Sequence, residues 1–325
     1  MQIAPEDEAS RGLRLAFCRE LLRDLDAVKA AIRAGVSERE APAFAARLIR
    51  QASTWQLVEV MSLTTRYAHD DRYRNPPSPI ADNIYYCCSQ KTGSQWLKQV
   101  LIDPAFFRAT GLRVLPFVAL GMKSARVDQA VPLHTVLTHL YAGYDTYAAI
   151  PKPGRFRTFY IVRDPRDAVV SWYYSARFSH NLIDPIPWLR ERLNAVDFED
   201  GMIFLIDTLA EWGFFDCQRS WFARGRADAA VRIFRYEDLA KDEVAFLRDL
   251  FGYLDVRMSD DEFTGLSGRH AFAKYSKGRN KGVEDQNSHY RRGASGDWRE
   301  KFTERIRNYF YDTTGDLASV LGYDL

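Results

Sequence analysis

Apolar and polar positions along this chain of 325 residues change rhythm near residue 80. Before it, Phe17, Leu21, Leu25, Val28 and Ile32 recur at steps of three and four, the period of one helix face, and Gly35 supplies a stop. The spacing predicts one amphipathic helix over 7–34. Ser37 and Glu40 have the spacing of a capping box for a second helix through Phe44 and Leu48, and a third is expected over 54–67. Pro76, Pro77 and Pro79 then interrupt regular structure. These features set a helical extension, 1–80, apart from a second domain, 81–325.

Beyond residue 80, short apolar runs alternate with helical stretches. That order predicts an α/β domain, a central parallel sheet flanked by helices in three layers. Strands are expected at 84–89, 135–140, 158–163 and 231–236, with helices at 94–107, 167–178, 201–221 and 242–254. Ligands of such sheets bind at the carboxyl ends of the strands.

Composition narrows the function classes. The chain has 45 basic against 43 acidic side chains, a net charge of +2, which excludes coating of nucleic acid or anionic lipid by bulk charge. No apolar run approaches the ~18 residues of a membrane span, and the first eight residues are acidic where a signal peptide is basic, so a cytoplasmic location is expected. Cys18, Cys87, Cys88 and Cys217 lack zinc spacing and read as reduced structural thiols.

Three segments carry candidate chemistry. The run from Ile84 to Ser89 leads into Gln90, Lys91, Thr92, Gly93, Ser94, Gln95, Trp96 and Leu97 at a helix start. Gly93 lets the backbone approach a ligand, the helix start offers amide donors, and Lys91, Thr92 and Ser94 add side-chain donors, a set suited to phosphate or sulfate. The lysine precedes the glycine, unlike the order of a Walker A loop. A second strand ends at Arg163, followed by Asp164, Pro165, Arg166 and Asp167, with Asp167 read as the cap of a helix that carries Ser171. The third segment runs from Tyr290 through Arg291, Arg292, Gly293 and Gly296 to Asp297 and Trp298, inside a stretch, 274–305, with nine basic and five acidic residues. Taken singly, each also fits an ordinary turn, an Arg and Asp network or a solvated loop.

Taken together, the segments resemble the PAPS-dependent sulfotransferases over 84–303. The resemblance implies a P-loop-like fold and a 5′-phosphosulfate loop at Lys91, Thr92, Gly93, Ser94, Gln95 and Trp96. It implies 3′-phosphate contacts from Arg163, Ser171, Arg291, Arg292 and Gly293, and an adenine flanked by Trp96 and Phe215, with Phe272 as a further ring. Thr138, His139 and Leu140 resemble the segment that carries the family's catalytic base, which makes His139 the expected base, with His134 as the fallback. Lys91 and Ser171 are the other expected catalytic residues. Phe234 to Leu239 resembles a further strand end of the family.

Three positions depart from the family pattern: Gln90 for proline, Gln95 for threonine, and Leu137 for a lysine thought to assist at the sulfuryl group. The implied reaction moves a sulfuryl group from PAPS to a hydroxyl of a small-molecule, lipid or carrier-bound acceptor and releases 3′,5′-bisphosphoadenosine (PAP), with no metal and no nucleic-acid partner. The competing reading is a P-loop nucleotide kinase or NTPase with Asp238 as magnesium ligand. The helical extension is expected to serve as a lid, a homo-oligomer contact or a docking surface for another protein.

Overall fold

The computed structural model describes residues 8–116 and 130–324. They divide into two compact units. One runs from Glu8 to Arg74 and takes in Asn181–Trp188; the other comprises the remaining described residues. No helix among the described residues is long and apolar enough to cross a membrane.

The first unit holds α1 (Glu8–Asp24), α2 (Ala27–Arg33), α3 (Ala41–Ile49) and α4 (Ala52–His69). The single helix predicted over 7–34 is broken at Leu25, which takes a left-handed φ of 59°, and at Asp26, whose carboxylate caps α2 by accepting from Lys29 N at 3.0 Å. The break turns the apolar stripe. Phe17 and Leu21 stay buried, whereas Leu25, Val28 and Ile32 are 67%, 39% and 38% exposed, and Ala30 and Ala31 fill the core instead. Ser37 Oγ does donate to Glu40 Oε2 at 2.5 Å, yet α3 begins only at Ala41, with Pro42 in its first turn.

The second unit is built on five parallel strands in the order β2-β3-β1-β4-β5. They are β1 (Asn83–Cys88), β2 (Arg113–Pro116), β3 (Thr135–Leu140), β4 (Phe156–Val162) and β5 (Val231–Arg235). The four expected strands are present; β2, four residues at the sheet edge and closed by a proline, is too short to leave an apolar run. Flanking helices up to β5 are α5 (Ser94–Ile102), α6 (Pro104–Thr110), α7 (Tyr144–Ala148), α8 (Pro165–Tyr174), α9 (Ile186–Asn194, of which the part from Leu189 on belongs to this unit), α10 (Phe198–Glu211) and α11 (Phe214–Ala223). After β5 come α12 (Tyr236–Lys241), α13 (Glu243–Leu254), α14 (Asp260–Arg269), α15 (Phe272–Tyr275), α16 (Trp298–Lys301), α17 (Glu304–Thr314) and α18 (Leu317–Val320).

Two helices predicted as continuous are split. Asp103 and Pro104 start α6 where a single helix was expected over 94–107, because proline cannot donate to the preceding turn and Asp103 accepts from Ala105 N at 2.8 Å. Gly213 separates α10 from α11. The strand order reverses at β1, which has β3 on one side and β4 on the other. Such a switch point opens a crevice at the carboxyl ends of the strands. The ladders set Cys87 beside Leu140 and Cys88 beside Ile161, so the chain after β1, the end of β3 and the end of β4 emerge side by side.

Candidate active site

The turn after β1 is tight. Lys91 has φ 67° and Gly93 φ 76°, left-handed values that a β-carbon disfavours, and Thr92 Oγ1 donates to Ser89 O at 2.8 Å. A β-carbon on Gly93 would also stand 3.2 Å from Leu239 Cδ2. This geometry starts α5 at Ser94 and aims its first amides at the crevice. Ser94 Oγ lies 2.6 Å from Tyr141 Oη, and Trp96 Nε1 donates to His270 O at 2.6 Å.

The Lys91 ammonium sits 5.4 Å from the centre of the Trp172 ring. Burial, together with the charges of Arg163 and Arg291, pulls its pKa down to about 7. An anion beside Lys91 would reverse that pull.

His139 is aimed by an irregularity that the sequence does not announce. Tyr85 pairs with Leu137 but Cys87 pairs with Leu140, so β3 carries one extra residue there, and Thr138 and His139 occupy the bulge. The ring is 2% exposed. Its Nδ1 lies 3.3 Å from Thr138 Oγ1 and its Nε2 lies 3.3 Å from Gln95 Nε2. The Gln95 amide can only donate from its nitrogen, so Nε2 is the accepting nitrogen and the proton stays on Nδ1. Burial, and secondarily the charge of Lys98, holds the imidazole down at about 3. His134 is elsewhere: it precedes β3, at the opposite end of that strand, and is exposed.

Arg163, 4% exposed, joins the segments. Its Nη1 donates to Lys91 O at 2.9 Å, its Nη2 reaches Ala294 O at 3.5 Å, and its guanidinium lies 4.3 Å from the centre of the Tyr236 ring. Its Nε is buried without a hydrogen-bond partner. Gln218 Nε2 fixes the strand end by donating to Arg163 O at 3.0 Å. Ser171, half-buried, lies farther along α8. Asp167 does not cap that helix; Asp164 does, accepting from Arg166 N at 2.9 Å.

In the third segment, Arg291 and Arg292 each donate to an oxygen of the Asp297 carboxylate, and Arg291 also donates to Glu284 Oε1 at 2.6 Å. Burial would raise the Asp297 carboxyl, but the two guanidinium groups outweigh it and hold the pKa below the usual carboxylate range. Arg279 donates to the carbonyls of Tyr290 and Arg291 at 2.7 and 2.9 Å and so shapes the loop. Gly293, φ 64°, packs so closely that a β-carbon would fall 2.6 Å from Phe272 Cε2. Phe272 thus abuts the arginine loop, two residues beyond the His270 carbonyl that holds Trp96. Phe215, 6% exposed, is engaged edge-on with Phe214 and Phe310 at 5.4 and 5.7 Å between ring centres.

Motif reading singled out the donors and the segments that carry Thr138 and Tyr236, but missed Tyr141 and Gln218. Tyr141 follows the end of β3 and holds Ser94, and Gln218 on α11 fixes the strand end at Arg163. Their signal is three-dimensional: one lies beyond a strand end and the other on a helix, with a side chain that reaches back to one.

Among known proteins, the Sulfotransferase domain family matches residues 82–321. Mouse sulfotransferase 6B1 is 22% identical over 237 residues, 69% of this chain and 72% of that protein. Human sulfotransferase 1C2 is 25% identical over 246 residues, 68% and 78% of the two chains. Of solved structures, mouse sulfotransferase SULT7A1 complexed with PAP superposes with a TM-score of 0.53 at 20% identity, over 74% of this chain and 88% of the other.

Proposed function

Because this chain belongs to the sulfotransferase family, we propose that it transfers a sulfuryl group from PAPS to an acceptor hydroxyl and that the crevice beside β1 is where it does so. One observation carries the placement: Arg163 hydrogen-bonds the backbone of Lys91 on one side and reaches that of Ala294 on the other, so three segments distant in sequence meet at one buried guanidinium.

The groups fit a nucleotide that is anionic at both ends. The α5 N-terminus, Lys91, Thr92, Ser94 and Gln95 suit the 5′-phosphosulfate; Arg163, with a buried Nε lacking any partner, suits the 3′-phosphate together with Ser171, Arg291, Arg292 and the backbone of Gly293. We place the adenine against Trp96, at the start of α5, and Phe272, which abuts the arginine loop, with Phe215 as a further ring.

PAPS supplies the sulfuryl group and departs as PAP. His139 Nε2, the nitrogen that keeps its lone pair, accepts the proton of the incoming hydroxyl, and Thr138 holds the ring in that tautomer. Lys91 opposes the negative charge that develops at the donor's bridging oxygen. Transfers of this type pass through a loose, in-line transition state, so alignment and charge contribute most of the rate. The anionic donor also raises the pKa values of His139 and Lys91 from their depressed values.

Acceptors of the proposed class are small molecules, lipids or carrier-bound intermediates. The helical unit contributes none of the residues named for this chemistry; exposed Leu25, Val28 and Ile32 favour a protein or homo-oligomer contact there, in the cytoplasm.

The test is incubation with sulfur-labelled PAPS and a panel of phenols, alcohols and lipids. The expected result is labelled sulfate ester with one PAP released per ester. Transfer of the γ-phosphoryl of Mg-ATP to the same acceptors, with PAPS inert, would contradict the assignment.

A further inference from the structure

The five residues from Arg163 to Asp167, which link β4 to α8 and form that helix's first residues, are tied to the arginine loop at several points. Arg163 reaches Ala294 O. The Arg166 guanidinium lies 3.6 Å from the centre of the Trp298 ring, held there by Asp164, which takes hydrogen bonds of 2.9 and 2.8 Å from its Nε and Nη2. Asp167 makes the most specific tie. Its side chain accepts from Gly296 N at 2.6 Å through Oδ2 and from Trp298 N at 3.0 Å through Oδ1.

Asp167 is 1% exposed, and its charge also helps keep Arg163 protonated against the cost of burial. A carboxylate so deeply buried needs compensation, and here two backbone amides provide it. Those amides flank Asp297, the residue that gathers Arg291 and Arg292. Asp167 therefore sets the backbone from which both arginines are presented, four residues before Ser171 on the same helix.

We infer that Asp167 is a positioning residue for 3′-phosphate recognition: it touches no part of the nucleotide and acts by holding the arginine loop against α8. Removing its charge leaves the Gly296 and Trp298 amides buried without adequate acceptors, so the loop must open to water. Discrimination between nucleotides with and without a 3′-phosphate then falls, while the 5′ end, anchored on the other loop, is unaffected.

This rests on the sulfotransferase reading, and the experiment separates the two. PAP and adenosine 5′-phosphate, which lacks the 3′-phosphate, are titrated calorimetrically into the full-length wild type, Asp167→Asn and Asp167→Ala, with amide hydrogen exchange followed across 290–298. In the variants PAP should bind about tenfold more weakly, adenosine 5′-phosphate should bind within about twofold of wild type, and exchange in that loop should speed up. Asn, which can still accept one amide, should lose less than Ala. Equal losses for both nucleotides, or no loss for PAP, would overturn the role of Asp167 alone. A wild type indifferent to the 3′-phosphate would overturn the sulfotransferase reading and this inference with it. Asp167→Asn keeps the side chain's shape, so it remains informative if Asp167→Ala fails to fold.

Discussion

Replacing His139 by alanine is expected to lower turnover by about 10²- to 10⁴-fold, the usual worth of a positioned base, while PAP affinity stays near wild type. Steady-state assays and PAP titration read the two effects separately, and near-normal turnover would remove His139 as the base. Lys91 gives a second test, on protons. Its folded pKa is about 7 against an ordinary 10.5, so between those pH values the unfolded chain holds a proton that the folded one lacks. This group's effect on stability therefore grows more favourable as pH rises from 7 to 10.5. Donor binding runs the other way, since an anion recharges the amine. At pH 8.5, PAP binding should take up protons, as measured by calorimetry in buffers of different ionisation enthalpy, and Lys91→Met should abolish most of the uptake. No net uptake in the wild type would mean that the amine is already charged. His139 was legible in the sequence through Thr138 and Leu140 beside it; the bulge that aims it was not, because a register slip of one residue depends on which strand lies alongside.

At the scale of elements, the loops decide function and the sequence marks them unevenly. The turn after β1 is visible because lysine, glycine and a helix-starting serine stand together. Asp167 misled as a cap because Asp164 competes for the same helix, and only the fold shows that the arginine loop claims Asp167 instead. The helix expected over 7–34 failed for a related reason: periodicity carries through Leu25, but Asp26 offers the backbone a cap and a turn. Gly293 permits a direct test of the arginine loop. In Gly293→Ala, the left-handed φ and the contact with the Phe272 ring force the loop to shift, and PAP affinity should fall about tenfold, the equivalent of about 1.4 kcal/mol. Unchanged affinity would show that the loop does not need this close approach.

For the whole molecule, four of the five strands and the α/β class could be read from apolar runs alone. Their order could not, since pairing is set by contacts far apart in sequence. That order matters most for function: with β3 and β4 on either side of β1, His139, Lys91 and Arg163 emerge from neighbouring strand ends. The most direct measurement is a crystal structure of the full chain with PAP. The 5′-phosphate should lie on the amides that begin α5, with the 3′-phosphate within hydrogen-bond reach of Arg163, Ser171 and the arginine loop, and His139 Nε2 facing the vacant sulfuryl position. A nucleotide bound away from β1, or one whose 3′-phosphate projects into solvent, would contradict the convergence of the three segments on a single donor.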